Sequence, residues 1–515
     1  MYLKPFFRPT ILRAPRVYDG APRLYNRAFF ATAQDVSSTL TGIDPSSLPL
    51  LHSSPEFSFT TGDKPQYWRK IPQWRDVSTE QFLRHKWQMA NTVQSEKALV
   101  EFMASVLPKD IPPQTDMAPH LRLSNIKTSE DFIQHLQDGI KKAPMAVRLS
   151  PHILSSINWD DPINDPIRRQ FIPLLTPMSE DHPMAELDPM KENTYSPVPG
   201  LIHRYPDRAL FFESVKKQRF LPLIKKWEPR FKYIEETPSL KDIVISGGDT
   251  YLLEPDQLKY IGDRLLDIQH IRRFRFASKG LSVSPSRLLD PEDEWVKTVI
   301  DMQNRARKMG KHICIHTHFN SVNEISWITR LGAQRLYEAG VTVRNQTVLL
   351  NGVNNTPEKM CALVHALGDI NIQPVSPISL HNFNPCTVKR LTTRDIKYYV
   401  YQGDIMPGAE DLRTPMKDSL DLERAVRGQI AGFLVPNFIL DLPAEGGKRL
   451  TRGVESYDYK IGLSKLTAPG LKGEPVTMNY WDPLWSLPEK GREEVLRRFG
   501  KFKGEPKKAA ANMAS

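Results

Sequence analysis

From Asp242 onward, short apolar runs rich in β-branched and aromatic residues alternate with stretches whose apolar positions recur at helical spacing. The runs predict strands at 242–246, 272–278, 312–318, 341–350, 370–374, 398–402 and 433–441. Helical patterns lie between them, near 255–268, 291–309, 323–339, 356–369 and 418–430. Strands separated by helices imply βαβ units and a parallel sheet. The predicted fold is therefore α/β, a partial or full TIM-type (β/α) barrel over residues 196–450, with functional side chains at the C-terminal ends of strands. Upstream, residues 66–195 form a mostly helical N-terminal region, broken by proline-rich stretches near 107–113 and 173–189. There Ser78-Thr-Glu-Gln81 offers a capping box for a helix whose core-facing stripe includes Leu83, Trp87 and Ala90.

Composition bounds the class. The chain has 515 residues, 40% hydrophobic and 25% charged, ordinary for a soluble globular protein with a large core. The apolar run at 433–442 is interrupted by Pro436 and Asn437 and is too short to span a bilayer, so no membrane segment is expected. The net charge of +11 would suit nucleic acid, but its distribution argues against that partner. Residues 1–34 carry six basic groups against Asp19, and residues 497–515 carry six against Glu505, which leaves the body almost neutral. The Arg-rich, acid-poor first 34 residues, with Arg27-Ala28-Phe29-Phe30-Ala31 as a cleavage site, are expected to be a presequence for the mitochondrial matrix; as a plain basic arm they would leave the protein cytoplasmic. Residues 35–65 read as a Ser/Thr/Pro-rich linker and 451–515 as a C-terminal extension with a basic tail. Cys314, Cys361 and Cys386 are the three cysteines, and their spacing gives neither a disulfide framework nor a metal knuckle.

Candidate chemistry gathers at the strand ends. Ser246-Gly247-Gly248-Asp249 follows the first strand. Its glycines allow a ligand to approach backbone N–H groups and Asp249 can accept from an amine or ribose hydroxyl, although any strand-to-helix turn also wants glycine. His316 and His318 share one side of a strand, a pair that could hold a metal in a barrel hydrolase if Asp404 or Asp441 completed the set. Asp404 and Asp441 end two later strands and suit a cationic group, or an acid and base. Lys448, reached through a Gly-Gly turn, can present its amine as a Schiff-base donor, or be a solvated surface lysine. Arg204, Tyr205 and Arg208, on a turn stiffened by Pro206, form a compact anion receptor suited to phosphate; a surface pair of Arg208 with Asp207 is the plainer alternative.

Taken together, from about Trp68 to Leu450, the chain resembles the lysine 2,3-aminomutase family of radical S-adenosylmethionine enzymes. The motifs that carry the resemblance are SPVPGLIHRYPDR at 196–208, SGGD at 246–249, THFNxxNEI at 317–325, NQTVLL with GVN at 345–354, YYVYQxD at 398–404, DLRTP at 411–415 and D-x-P with GGK at 441–448. The resemblance implies a radical-SAM-type barrel and pyridoxal 5′-phosphate on Lys448, with Arg204, Tyr205 and Arg208 on its phosphate. It places S-adenosyl-L-methionine against Ser246, Gly247, Gly248, Asp249, His318 and Gln346. Asp404 and Asp441 would take the side-chain ammonium of a lysine substrate, where a glutamate-specific relative would want a cation. A 5′-deoxyadenosyl radical made on a [4Fe–4S] cluster would remove the β-hydrogen, and the amino group would pass from C2 to C3 to give β-lysine. A homo-oligomer acting on a free amino acid is the implied assembly.

Two departures cut across this. The family's C-x-x-x-C-x-x-C loop and the arginine after it, which binds the substrate carboxylate, are missing: Phe212 runs straight into Glu213-Ser-Val-Lys-Lys. Three thiolates are needed to hold such a cluster, and no other residues supply them. Residues 375–397 are an insertion between Pro374 and Tyr398, which adjoin in the family. Both have the form of splice-model errors, one exon skipped and one intron retained. Smaller departures are Gly403 and Ala444-Glu445. The competing readings are an aminomutase whose displayed chain is incomplete and inactive, a cluster-less pyridoxal-phosphate-binding pseudoenzyme, and the metal-dependent hydrolase using His316 and His318.

Overall fold

The computed structural model of the chain describes residues 64–142, 146–213, 220–372, 399–443, 446–468 and 473–500. The expected presequence, nearly all of the linker, the 375–397 insertion and the tail from 501 lie outside the described residues.

Nine strands make one sheet in sequence order: β1 (Leu201–Tyr205), β2 (Arg208–Phe212), β3 (Asp242–Ser246), β4 (Arg273–Ala277), β5 (His312–Thr317), β6 (Thr342–Val348), β7 (Tyr399–Tyr401), β8 (Asn437–Leu442) and β9 (Gly447–Leu450). Strands β2 to β8 are parallel, and the hairpins β1–β2 and β8–β9 close the two edges antiparallel. The sheet order has β1 and β9 at opposite ends, so the predicted barrel takes its partial form, a curled half-barrel. Helices Pro255–Asp267, Trp295–Lys308, Trp327–Glu338, Pro357–Asp369 and Met416–Gln429 are the crossovers expected from the sequence, and Phe220–Glu235 is one it did not show.

Side chains alternate across a strand, so each one presents two different faces. Ile243, Ile245, Phe274, Phe276, Ile313 and Ile315 point outward and are fully buried with Leu258, Ile261, Val299 and Leu336 of the crossover helices. Each such side chain contributes on the order of 1.5–3 kcal/mol. The opposite face carries Asp242, Arg275, His316 and Gln346. A closed barrel fills its interior with branched apolar residues. This half-barrel keeps its inner face polar, as a ligand-filled interior requires.

Four expectations are corrected. The last of the expected strands starts at Asn437 and not at 433. Residues 370–372 are not a strand: Ile370 ends the helix, Asn371 takes φ 56°, and β7 joins β6 only from Tyr399. The single helix expected after Ser78 is two, Thr79–Leu83 and His85–Ala90. Ser78 Oγ does accept from Gln81 N, but Arg84 is extended because Asp290 captures the break, accepting from His85 N at 2.7 Å and Arg84 Nη1 at 3.2 Å. Arg204, Tyr205 and Arg208 lie on the β1–β2 hairpin, Tyr205 paired with Arg208 across the Pro206-Asp207 link.

The C-terminal extension is built in, up to the helix Glu489–Gly500. Its antiparallel sheet β10 (Ser456–Asp458), β11 (Leu463–Ala468) and β12 (Val476–Trp481) docks on the segment after β7. There the buried Arg413 of the DLRTP motif bonds Glu410 Oε1 at 2.6 Å, Tyr480 Oη at 3.2 Å and the Trp481 carbonyl.

Candidate active site

A cavity of about 480 Å³ opens at the C-terminal ends of the parallel strands, where such folds place their chemistry. The β8–β9 hairpin sets one wall. Its register makes Asp441 and Lys448 a cross-strand pair, and a left-handed Gly447 (φ 63°) gives the link its turn. Lys448 Nζ donates to Asp441 Oδ2 and stands 4.9 Å from the centre of the Tyr401 ring. Arg204 Nη1 reaches Asp441 Oδ1 at 3.3 Å and Nη2 donates to the Leu442 carbonyl; Tyr205 Oη lies 3.5 Å from the same carboxylate. Lys448 is thus no solvated surface lysine: its side chain is three-quarters buried and its amine is held by a carboxylate. Burial, and then the charge of Asp441, push the Asp404 carboxyl up to about 6, which ties the two carboxylates to one electrostatic site.

The Ser246-Gly-Gly-Asp turn forms the opposite wall. Gly247 has φ 102°, and a Cβ there would fall 1.7 Å from Phe212 Cδ1, so the turn needs glycine for both shape and space. Asp249 is committed to backbone, accepting from Tyr251 N at 2.9 Å and Lys279 N at 3.1 Å. His318 bonds Asn320 Oδ1 at 3.1 Å, and both His318 and Gln346 line the cavity. The Gly248 amide, the group a ligand would use, is taken by Glu213 Oε1 at 2.9 Å. Glu213 is fully buried, its Oε2 has no partner among the described residues, and burial pushes its carboxyl up to about 7. Sequence reading passed over Glu213, although it is the first residue after the missing loop.

A third wall also went unread. Arg208 Nε lies 3.4 Å from Asp242 Oδ2, and Arg275 grips the same carboxylate at 3.2 and 2.9 Å. The partner of Arg208 is therefore Asp242, not the adjacent Asp207. His316 lines the cavity beside them, registered against Arg344 on β6. Burial, then Arg275, Arg344 and Arg208, hold its imidazole well below the ordinary value, hence neutral. This removes the hydrolase reading: His316 is ringed by guanidinium groups, His318 is bonded to an amide, and among the described residues no group of three His, Cys, Asp or Glu side chains could hold a metal ion.

Fold and site together define a half-barrel enzyme scaffold that presents a lysine amine, the Asp441 carboxylate and a cationic wall to one cavity, with Asp404 outside its lining. No family model matches the chain. It is, however, 31% identical over 433 residues to the L-lysine 2,3-aminomutase of Clostridium subterminale, covering 81% of this chain and 88% of that one. It is 29% identical over 398 residues to the L-lysine 2,3-aminomutase of Bacillus subtilis, covering 74% and 72%. The glutamate 2,3-aminomutase of Clostridioides difficile is 25% identical over 395 residues, covering 74% and 79%. The chain belongs to the lysine 2,3-aminomutase family, whose members are amino-acid 2,3-aminomutases and isomerases.

Proposed function

We propose that this chain binds pyridoxal 5′-phosphate at Lys448, and lysine with its side-chain ammonium against Asp404 and Asp441. The observation that carries the reading is the buried Lys448–Asp441 pair over the Tyr401 ring. The residues fit the cofactor: an amine for its aldehyde, an aromatic face for its ring and guanidinium groups for its phosphate. When bound, the cofactor supplies an electron sink conjugated to the substrate nitrogen. Asp441 fixes the Lys448 amine and Arg204 fixes Asp441. Asp404 makes no ion pair among the described residues; burial first, and then repulsion from Asp441, raise its pKa, and a substrate ammonium would offset both. A glutamate carboxylate would add to that repulsion, which favours lysine over the substrate named for the Clostridioides difficile relative.

A half-barrel of the radical S-adenosylmethionine kind is the second part of the proposal, supported by Ser246, Gly248, His318 and Gln346 around the same cavity. The [4Fe–4S] group does not fit. Cys314 is buried in β5 and Cys361 in a crossover helix, and Cys386 lies outside the described residues. We therefore infer that the chain as written is inactive as a radical mutase and keeps the pyridoxal half of the site. The basic, acid-poor leader supports a matrix location. Borohydride reduction of the chain with pyridoxal 5′-phosphate should label Lys448 by peptide mass. Label elsewhere overturns the assignment. Anaerobic reconstitution with iron and sulfide should give no cluster absorption, and a stoichiometric cluster spectrum overturns the inactivity.

A further inference from the structure

The sequence gives the cofactor phosphate to Arg204, Tyr205 and Arg208, but the fold commits Arg204 elsewhere. Its guanidinium is tied to Asp441 and to the Leu442 carbonyl, where it braces the hairpin that carries Lys448. The unspent positive charge lies deeper, on the inner faces of β2, β4 and β6. Arg208 and Arg275 share one carboxylate, Asp242, and Arg344 makes no ion pair among the described residues. Arg344 finds only the Cys314 thiol, at 3.6 Å, and its Nε is buried without a partner. Arg208 Nε and His316 Nε2 are likewise buried without a hydrogen bond. Three guanidinium groups against one carboxylate leave two positive charges on a half-buried wall, with side-chain exposures of 35% at Arg208 and 15% at Arg275. An unpaired buried charge is among the most costly features a fold can carry, and a donor left unmade costs further. Such a wall is stable when an anion completes it.

We propose that Arg208, Arg275 and His316, backed by Arg344, receive the phosphate of the cofactor, while Arg204 positions the Lys448 hairpin. This rests on the pyridoxal reading above and assigns its anion to residues outside the RYPDR motif, Arg208 excepted. The match is one of charge and reach. A phosphate monoester dianion carries the two negative charges that the wall lacks, and a neutral His316 offers one N–H without adding repulsion. Arg208, Arg275 and His316 line the same cavity as Lys448. Tyr401 stands between, with its ring under the Lys448 amine and its hydroxyl within the field of Arg275 and Arg208. The cofactor ring would lie across Tyr401, with its aldehyde toward Lys448 and its phosphate toward the wall.

The test compares pyridoxal 5′-phosphate with pyridoxal, which lacks the phosphate, by absorbance titration of the full chain. Arg275→Gln should weaken pyridoxal phosphate by about 10-fold or more, the worth of a charge-assisted bond, and leave pyridoxal within about two-fold. Arg344→Gln, which leaves the Asp242 pairs intact, should act in the same sense, and Arg275→Lys should restore part of the loss. Arg204→Gln should weaken both ligands alike. Equal effects of Arg275→Gln on both ligands, with circular dichroism unchanged, would overturn the proposal; so would selective loss of the phosphorylated ligand in Arg204→Gln alone. If borohydride fails to label Lys448 in the unaltered chain, the pyridoxal reading falls by itself. The wall is then read with inorganic phosphate: a rise in thermal midpoint that Arg275→Gln and Arg344→Gln abolish supports it, and no rise overturns it.

Discussion

Glu213→Gln tests how tightly the chain has closed over its missing loop. The Glu213 carboxyl is fully buried against the Gly248 amide, and its pKa rises from 4.5 to about 7. Between those values the unfolded chain releases a proton that the folded chain keeps. Stability therefore falls as pH rises through this window and levels off above about 7. A gap of about 2.5 units amounts to roughly 3 kcal/mol, of which about 2.5 kcal/mol falls between pH 5 and pH 8. Glutamine keeps the oxygen that accepts from Gly248 and never ionises. Its buried NH₂ carries a cost of about 1–3 kcal/mol, but that cost is the same at every pH, so the slope is the signal. Urea unfolding followed by tryptophan fluorescence should show the variant gaining about 2.5 kcal/mol on the unaltered chain from pH 5 to pH 8, at unchanged denaturant slope. Parallel stability curves would refute the reasoning, because Glu213 would then titrate as a solvated carboxylate and the turn would stand open.

Three further outcomes are expected. Gly247→Ala forces a methyl into the Phe212 ring at φ 102° and should cost roughly 3 kcal/mol or more, read as a lowered thermal midpoint. Asp404→Asn should weaken lysine binding to the pyridoxal-phosphate-loaded chain by about 10- to 100-fold in calorimetry. In the unaltered chain lysine binding should fade as pH drops through about 6, where Asp404 takes up its proton, and a flat profile would remove Asp404 from the site. Arg413→Ala leaves Glu410 buried and unpaired and should cost about 3–5 kcal/mol in urea unfolding, a role in structure and not in the cavity.

The strands that carry the cavity were legible because their outward faces are runs of Ile and Phe, and a run bounded by helices has few alternatives. The edges were harder. The β1–β2 hairpin hides in a motif that draws attention to its charges, yet Pro206-Asp207 is a two-residue link between apolar runs and was readable as a hairpin. Strand β11 alternates buried and exposed positions cleanly, and its sheet was left unassigned. At the site, Lys448 and Asp441 pair and line the cavity, because strand ends meet in any βα fold, while Asp404 stays outside its lining. The Arg275–Arg344 wall was missed for a specific reason: candidates were sought at the strand ends, and these arginines lie within β4 and β6, facing inward. An inward arginine on such a strand is itself the signal. Glu213 carried none, since nothing in a glutamate after a strand says that it fills a ligand's place.

The parallel strands give the molecule two unequal ends, and the chain's two departures from its family fall one on each. Residues 373–398 separate the helix Pro357–Asp369 from β7, and β7 still finds its place between β6 and β8. Glu213 follows β2 at the cavity end, and there its carboxylate occupies the Gly248 amide. An edit to the coding sequence is thus weighed by which end of a strand it meets. Away from the cavity, added length leaves the order of the strands intact; at the cavity end, a change meets the side chains that line the site.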